Sequence, residues 1–322
     1  MTVLAAATGA GVARLELADG ACRVALGAPD SGSSCLARDP REPDFLVAGG
    51  RGRGAWRSRD DGESWERVDF PHPDVFSVAI SGVDGAVYAG CEPSMLFVSR
   101  DRGERWRELE SLREIPSAPT WSFPPRPWTS HVRWIAPSPH DADLLLVGIE
   151  LGGVMRSVDG GATWSDHRPG AQPDCHSLAW HPEALGRAYE AGGGGAAWSF
   201  DGGETWDGAD AGRDRHYTWA VAVHPADPDC WFVSASTGPY AAHGRGSADA
   251  YLYRWRGTGP WEPLAGGLPQ PLDEMPYALA FADGVLAAGL ADGAIYTSRD
   301  DGDSWEPLPL EGDPLARILA FA

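Results

Sequence analysis

Two carboxylates, Glu92 and Glu150, each directly follow a short apolar run, Val87 to Cys91 and Leu145 to Ile149. Carboxylates in equivalent loops of successive repeats can converge, and a converging pair can share acid and base work because one raises the pKa of the other. A second set is imidazole. His131, His176 and His216 lie at or just before other apolar runs, with His72, His167, Asp74 and Asp174 nearby in sequence. One such imidazole can serve as a general base. Three around one opening can also hold a metal, but there is no H-E-x-x-H or other local ligand spacing and separate segments carry each residue, so no metal is assigned. His181 and His224 precede Pro182 and Pro225 and read as turn residues. Glu190 sits inside an apolar run and needs a partner if it is buried. No P-loop, G-x-S-x-G elbow or dinucleotide fingerprint occurs, and Gly50 to Gly54 reads as a hairpin-like Gly/Arg stretch. The cofactor is therefore left unknown. Cys91 and Cys175 fall near the same loops, and nothing marks either as an activated thiolate.

These residues are positioned by repeats. The pattern S-x-D-x-G-x-x-W occurs five times, with its acid at Asp60, Asp101, Asp159, Asp201 and Asp300. Each copy ends one β-run and starts another, so it reads as a hairpin turn. The Asp accepts turn N–H bonds, the Gly takes a positive φ and the Trp packs the turn down. These five acids are assigned a structural role. The spacing from Asp60 to Asp101 is 41 residues and from Asp159 to Asp201 is 42, the length of a four-stranded propeller blade. From Asp201 to Asp300 it is 99, two blades with a degenerate turn at Tyr251 to Trp261. An apolar opening strand recurs seven times, beginning at Ser34, Phe76, Arg133, His176, Trp219, Tyr277 and Arg317. The expected fold is an all-β, seven-bladed propeller of four-stranded blades, one domain over residues 1–322. Its ring should close by pairing Arg317 to Phe321 with Val3 to Thr8, which removes open edges.

The turn motif is the Asp box, or BNR repeat. The chain resembles the propellers of sialidases, sortilin-type receptors, xyloglucan-cleaving glucanases and the photosystem II assembly propeller, a resemblance that specifies fold rather than activity. Resemblance to sialidases places the Asp boxes on the face opposite the site. The informative face then carries the blade connections and the loops between second and third strands, whose equivalent positions are Arg51, Glu92, Glu150, Gly193, Thr237, Ala291 and Gly9. The opening-strand column is not one repeated small type, as a structural position would be; it is mostly polar or aromatic, as a pocket rim is. Arg133, Trp219, Arg317, Arg51, Phe76, His131 and His216 are expected to bind ligand, and His176, Glu150, Tyr277 and Glu92 to be the catalytic candidates. Asp101 to Asp159 spans 58 residues, which implies an insertion, placed at residues 110–131. Its prolines stiffen it, and Trp121 and Trp128 offer flat faces suited to a lid over a cyclic or sugar-like ligand. A second loop, Thr237 to Ala250 with Tyr240, His243 and Arg245, should flank the same opening.

The expected function is binding of a small molecule, glycan or protein partner at this mouth. The alternative is a cytoplasmic enzyme acting by acid/base chemistry. The sialidase resemblance itself implies three arginines, Arg133, Arg317 and Arg51, with Tyr277 and Glu150 as the nucleophile pair and Asp174 as acid/base, although the F-R-I-P type signature is missing. Lys and Arg total 26 against 46 acidic residues, a formal charge of −20, which repels phosphate backbones and anionic membranes, so nucleic acid and membrane are excluded as partners. No run is apolar and long enough to span a bilayer, and no basic segment precedes the first apolar residues. Five cysteines without a C-x-x-C pair suggest neither disulfides nor a zinc knuckle. The expectation is a cytoplasmic monomer.

Overall fold

The computed structural model of the chain describes residues 2–18, 21–123 and 129–322. Six antiparallel sheets follow one another along the chain. The first blade contains Ser33–Arg38, Leu46–Gly50, Gly54–Ser58 and Glu66–Arg67, and the others open with Val75–Ile80, Val132–Pro137, Cys175–Trp180, Tyr217–Val223 and Pro276–Ala282. Blades stack face to face around an axis, so both faces of a middle strand are covered. Leu46–Gly50, Val87–Cys91, Leu145–Ile149, Ala188–Gly192 and Val285–Leu290 are accordingly buried at every position. In the third blade the outermost strand shrinks to an isolated bridge between Arg156 and Ser165.

The seventh blade is composite, as expected. Thr2–Ala7, Val12–Ala18 and Ala21–Gly27 form three of its strands, and Ala320–Phe321 adds the innermost one, Ala6 facing Phe321 and Ala7 facing Ala320. The Leu319 N–H donates to Ala7 O at 2.8 Å, the Ala322 N–H to Ala5 O at 2.9 Å and the Ala5 N–H to Ala322 O at 2.7 Å. The Ile318 N–H turns the other way, to Leu290 O of the sixth blade at 3.0 Å. One strand was not foreseen: Leu310–Gly312 runs parallel to Ala21–Gly27 and covers the blade's outer edge. The carboxyl-terminal segment thus seals both sides of the closing blade.

The Asp boxes form one repeated turn between third and fourth strands. In the fourth blade the Asp201 carboxylate accepts from the Ser199 hydroxyl at 2.8 Å, the Thr205 N–H at 2.9 Å and the Thr205 hydroxyl at 2.6 Å. The Trp206 indole N–H donates to Gly203 O at 3.2 Å. Gly62, Gly103, Gly161, Gly203 and Gly302 all take φ between 78° and 89°, the reason the motif fixes glycine there. Hydrogen bonds from Ser304 and Ser298 hold the Asp300 carboxyl down at about 2. The carboxylates are consumed by turn donors, as a structural role requires. Among the described residues no helix is long and apolar enough to cross a membrane.

Candidate functional site

In six blades the innermost strand slips register at one equivalent place. The slips lie between Ser33 and Cys35, Val75 and Ser77, Val132 and Trp134, Cys175 and Ser177, Thr218 and Val221, and Pro276 and Ala278. The skipped residues are Ser34, Phe76, Arg133, His176, Trp219 with Ala220, and Tyr277. These are the members of the non-repeating column. A bulge frees its extra residue from the ladder and re-aims its side chain. Ser34, Phe76, Arg133, Trp219, Tyr277 and Arg317 line a single cavity of about 490 Å³ on the mouth side of the axis, together with Arg51, His131 and Glu150.

Polar contacts tie these residues into two chains. On one side the His131 ring is hydrogen-bonded to Glu150, Nε2 to Oε2 at 2.6 Å, and stacks on Phe76 at 3.9 Å between centroids. Arg133 Nε lies 3.5 Å from Glu150 Oε2, outside hydrogen-bonding geometry, and its guanidinium covers the Trp219 ring at 4.6 Å. Burial pushes the Glu150 carboxyl up, but the His131 hydrogen bond and the Arg133 charge outweigh it and hold the group at about 2. Glu92 does not line the cavity. It stands behind the wall, accepting from the Thr129 hydroxyl at 2.6 Å with Oε2 3.8 Å from Arg51 and 3.9 Å from His131 Nδ1.

The second chain latches the Thr237 to Ala250 loop. Tyr277 Oη donates to Ala242 O at 3.1 Å, so it accepts from His243 Nδ1 at 2.8 Å, which leaves His243 Nε2 to accept from Tyr217 Oη at 2.9 Å. Burial pushes the Tyr277 phenol above its ordinary value, and the hydroxyl is engaged as a latch. Tyr277 therefore pairs with His243, and Glu150 with His131, in place of the tyrosine–glutamate pair that the sialidase resemblance implied.

Other expected site residues are placed elsewhere. His176 occupies a bulge but does not reach the cavity wall: its ring is buried beneath Trp219, 4.5 Å between centroids, and its Nδ1 meets Thr218 O of the next blade at 2.6 Å. Glu150 and Asp174 lie near it, so that Glu150, Asp174 and His176 present ligand atoms within 4.8 Å of one another. Trp121 is buried among Ile115, Leu112 and Ile149, with its indole N–H on Ser117 Oγ at 3.1 Å, because the insertion folds as two short 3-10 turns, Glu110–Glu114 and Ala118–Thr120, against the blades. It forms no lid face. His216 is exposed and outside the lining. Trp128 lies outside the described residues. The five cysteines are free and buried, and burial pushes the Cys91 and Cys175 thiols up, the reverse of activation.

The mouth also uses residues that were not singled out as ligand contacts. His243 arrives on a loop, and Phe123 packs edge-on to His131 at 5.3 Å. Thr218 ties the fourth and fifth blades by donating to Gly195 O at 2.7 Å. No spacing in the sequence signals these contacts, which join segments far apart in the chain.

Solved propellers share this architecture. A GH74 xyloglucanase from Xanthomonas campestris superposes with a TM-score of 0.66 at 18% identity, over 86% of this chain and 45% of that one. A Niastella koreensis GH74 enzyme gives 0.68 at 14% identity, over 94% and 51%. The structure of YCF48 bound to a D1 peptide gives 0.57 at 18% identity, over 84% and 79%. What they share with this chain is the β-propeller fold. The chain spans about half the length of the GH74 proteins, and at these identities the likeness extends to fold alone. No protein-family model matches the chain, and no curated protein matches it.

Proposed function

We propose that the axial cavity binds a small cyclic ligand carrying an anionic group. One observation carries this reading: in a chain of net charge −20, the described residues around a cavity of about 490 Å³ include three arginines, Arg51, Arg133 and Arg317, and a single carboxylate, Glu150. That carboxylate is already held by His131. Arg133 supplies a buried Nε–H without a hydrogen-bond acceptor, a donor that a ligand oxygen would satisfy. Phe76, Trp219 and Tyr277 contribute aromatic surface to the lining, against which a ring can pack. The terminal strands close the ring within one chain, and the protein is read as a monomer. Five free cysteines fit a reducing cytoplasm.

The test is a thermal-shift screen of sugar acids, cyclic carboxylates and phosphates against the wild type, Arg133→Met and Arg317→Met. A ligand at 100 times its Kd stabilises the protein by about 2.7 kcal/mol, and the shift should vanish in Arg133→Met. Shifts from neutral sugars alone, or equal shifts in all three proteins, would refute the reading. If only a peptide binds, the mouth is a protein-docking site, as the D1-peptide complex makes conceivable for this fold.

A second reading, proton transfer on the bound ligand, is favoured by the His131–Glu150 pair in the cavity wall. It predicts that a ligand found in the screen is converted over time, followed by proton NMR, and that Glu150→Gln still binds it but stops conversion.

A further inference from the structure

We propose that Glu150, Asp174 and His176 form a divalent-metal site behind the wall of the mouth, beneath Trp219. The proposal concerns a different group from the anionic ligand and stands without it.

The tautomer of His176 is fixed by its neighbour in the next blade. A backbone carbonyl only accepts, so the 2.6 Å contact between Nδ1 and Thr218 O places the ring hydrogen on Nδ1. In the neutral ring, Nε2 then carries a lone pair. That atom has no hydrogen-bond partner, belongs to a side chain with no exposed surface, and faces Asp174 Oδ2 at 3.4 Å. Asp174 Oδ1 is buried and unpartnered as well. Two lone pairs turned toward each other at this partly buried place repel unless a cation lies between them. An imidazole that donates its other N–H to a backbone carbonyl is the usual support of a metal-ligating histidine, because that bond fixes both tautomer and ring orientation. Glu150 supplies the third donor, with all three ligand atoms within 4.8 Å of one another.

Two further features suit a cation. The charges at hand are two carboxylates against the Arg133 guanidinium, 3.5 Å from Glu150, which leaves an excess of negative charge. Space is also reserved, because a Cβ on Gly193 would run into the Asp174 carboxylate, so the absent side chain leaves the carboxylate its position. One imidazole and two carboxylates without a thiolate suit Mn²⁺, Fe²⁺, Co²⁺ or Zn²⁺ rather than a soft ion.

The alternative occupant is a proton, which would make His176 an imidazolium donating to Asp174. The experiment uses Mn²⁺ and the full chain, dialysed against chelator, since buried thiols compete poorly for this ion. Loss of the free-Mn²⁺ EPR signal should titrate to one equivalent. Asp174→Asn and His176→Gln should each weaken binding by about tenfold or more, and Gly193→Ala by about 10–100-fold through the displaced carboxylate. Asp101→Asn, on the opposite face, should bind as the wild type does. Melting curves identify any variant that fails to fold; Gly193→Ala and Asp174→Asn keep the test decisive if His176→Gln does so. Absence of Mn²⁺ uptake by the folded wild type, or uptake unchanged in Asp174→Asn and Gly193→Ala, overturns the site in favour of the proton.

Discussion

Replacing Glu190 by glutamine should remove a large pH dependence of stability. Glu190 lies in the buried strand Ala188–Gly192, its side chain without exposed surface. One oxygen accepts from the Gln172 N–H at 2.8 Å, while the other is buried without an ordinary hydrogen bond and the carboxyl has only the weak Cys175 thiol donor beside it. Burial pushes this carboxyl up from 4.5 to about 8, against the opposing effect of the Gln172 hydrogen bond, so the folded protein holds it as the neutral acid at pH 7. An acid whose folded pKa is raised takes up a proton on folding. Its contribution is fully present below 4.5 and is lost progressively as pH rises toward 8. At about 1.36 kcal/mol per unit, the wild type should lose roughly 3–4 kcal/mol relative to Glu190→Gln between pH 5 and pH 8. Glutamine keeps the volume and the acceptor for Gln172, so its own curve should lack this component. The assay is urea denaturation of both proteins at pH 5, 6, 7 and 8, compared as a difference so that other titrating groups cancel. Parallel curves across that range would mean that Glu190 is ionised in the folded state, and the burial argument would be wrong.

Three further outcomes are expected. Gly90→Ala should destabilise the protein by about 1–3 kcal/mol in the same assay, since a Cβ there would stand 2.5 Å from both Ser77 Oγ and Val132 Cγ1 of the adjoining blade; a change below about 0.5 kcal/mol would show that the blades have room to part. Truncation after Asp313 removes the buried Ile318 and the strand paired with Ala6 and Ala7, so the protein should lose its cooperative melt and associate through the uncovered edge, as read by size-exclusion chromatography. His243 is held below its ordinary 6.5, first by burial and then by the Arg133 charge, with Glu150 opposing. The neutral ring is therefore the favoured form, and the latch it makes is present above 6.5 and weakens as pH falls below that value toward the folded pKa. Hydrogen exchange of the Thr237 to Ala250 amides should rise at pH 5.5 relative to pH 7.5 once corrected for intrinsic rates, and equal protection would refute the latch.

The turns were legible because the bonds of the Asp carboxylate and the Trp indole span a few residues, from Ser199 to Trp206 for instance, so the motif contains its own hydrogen-bond partners. Ring closure was legible because seven opening strands were present and the last lay at the end of the chain. The pairing of Leu310–Gly312 with Ala21–Gly27 was not, as a three-residue exposed strand has no apolar pattern to reveal it. His176 and Trp121 were assigned to the mouth from position alone. Their orientation is decided by partners in other segments, the Thr218 carbonyl for one and the Ile115, Leu112 and Ile149 surface for the other.

The bulges explain why the remaining column could be recognised at all. A residue inside the ladder must accommodate neighbours on both faces, which is why Gly49, Gly90, Gly148 and Gly289 recur beside Val75, Val132, Cys175 and Ile318 of the next blades. A bulged residue contributes no regular ladder pairing, so the fold places little demand on its side chain. Ser34, Phe76, Arg133 and Tyr277 differ because the propeller leaves them free to differ, and the same geometry turns them toward the axis. Variation within an otherwise repeating strand is thus the sequence trace of the bulge. It marks the positions at which this fold can acquire a specific site without disturbing the stacking of its blades.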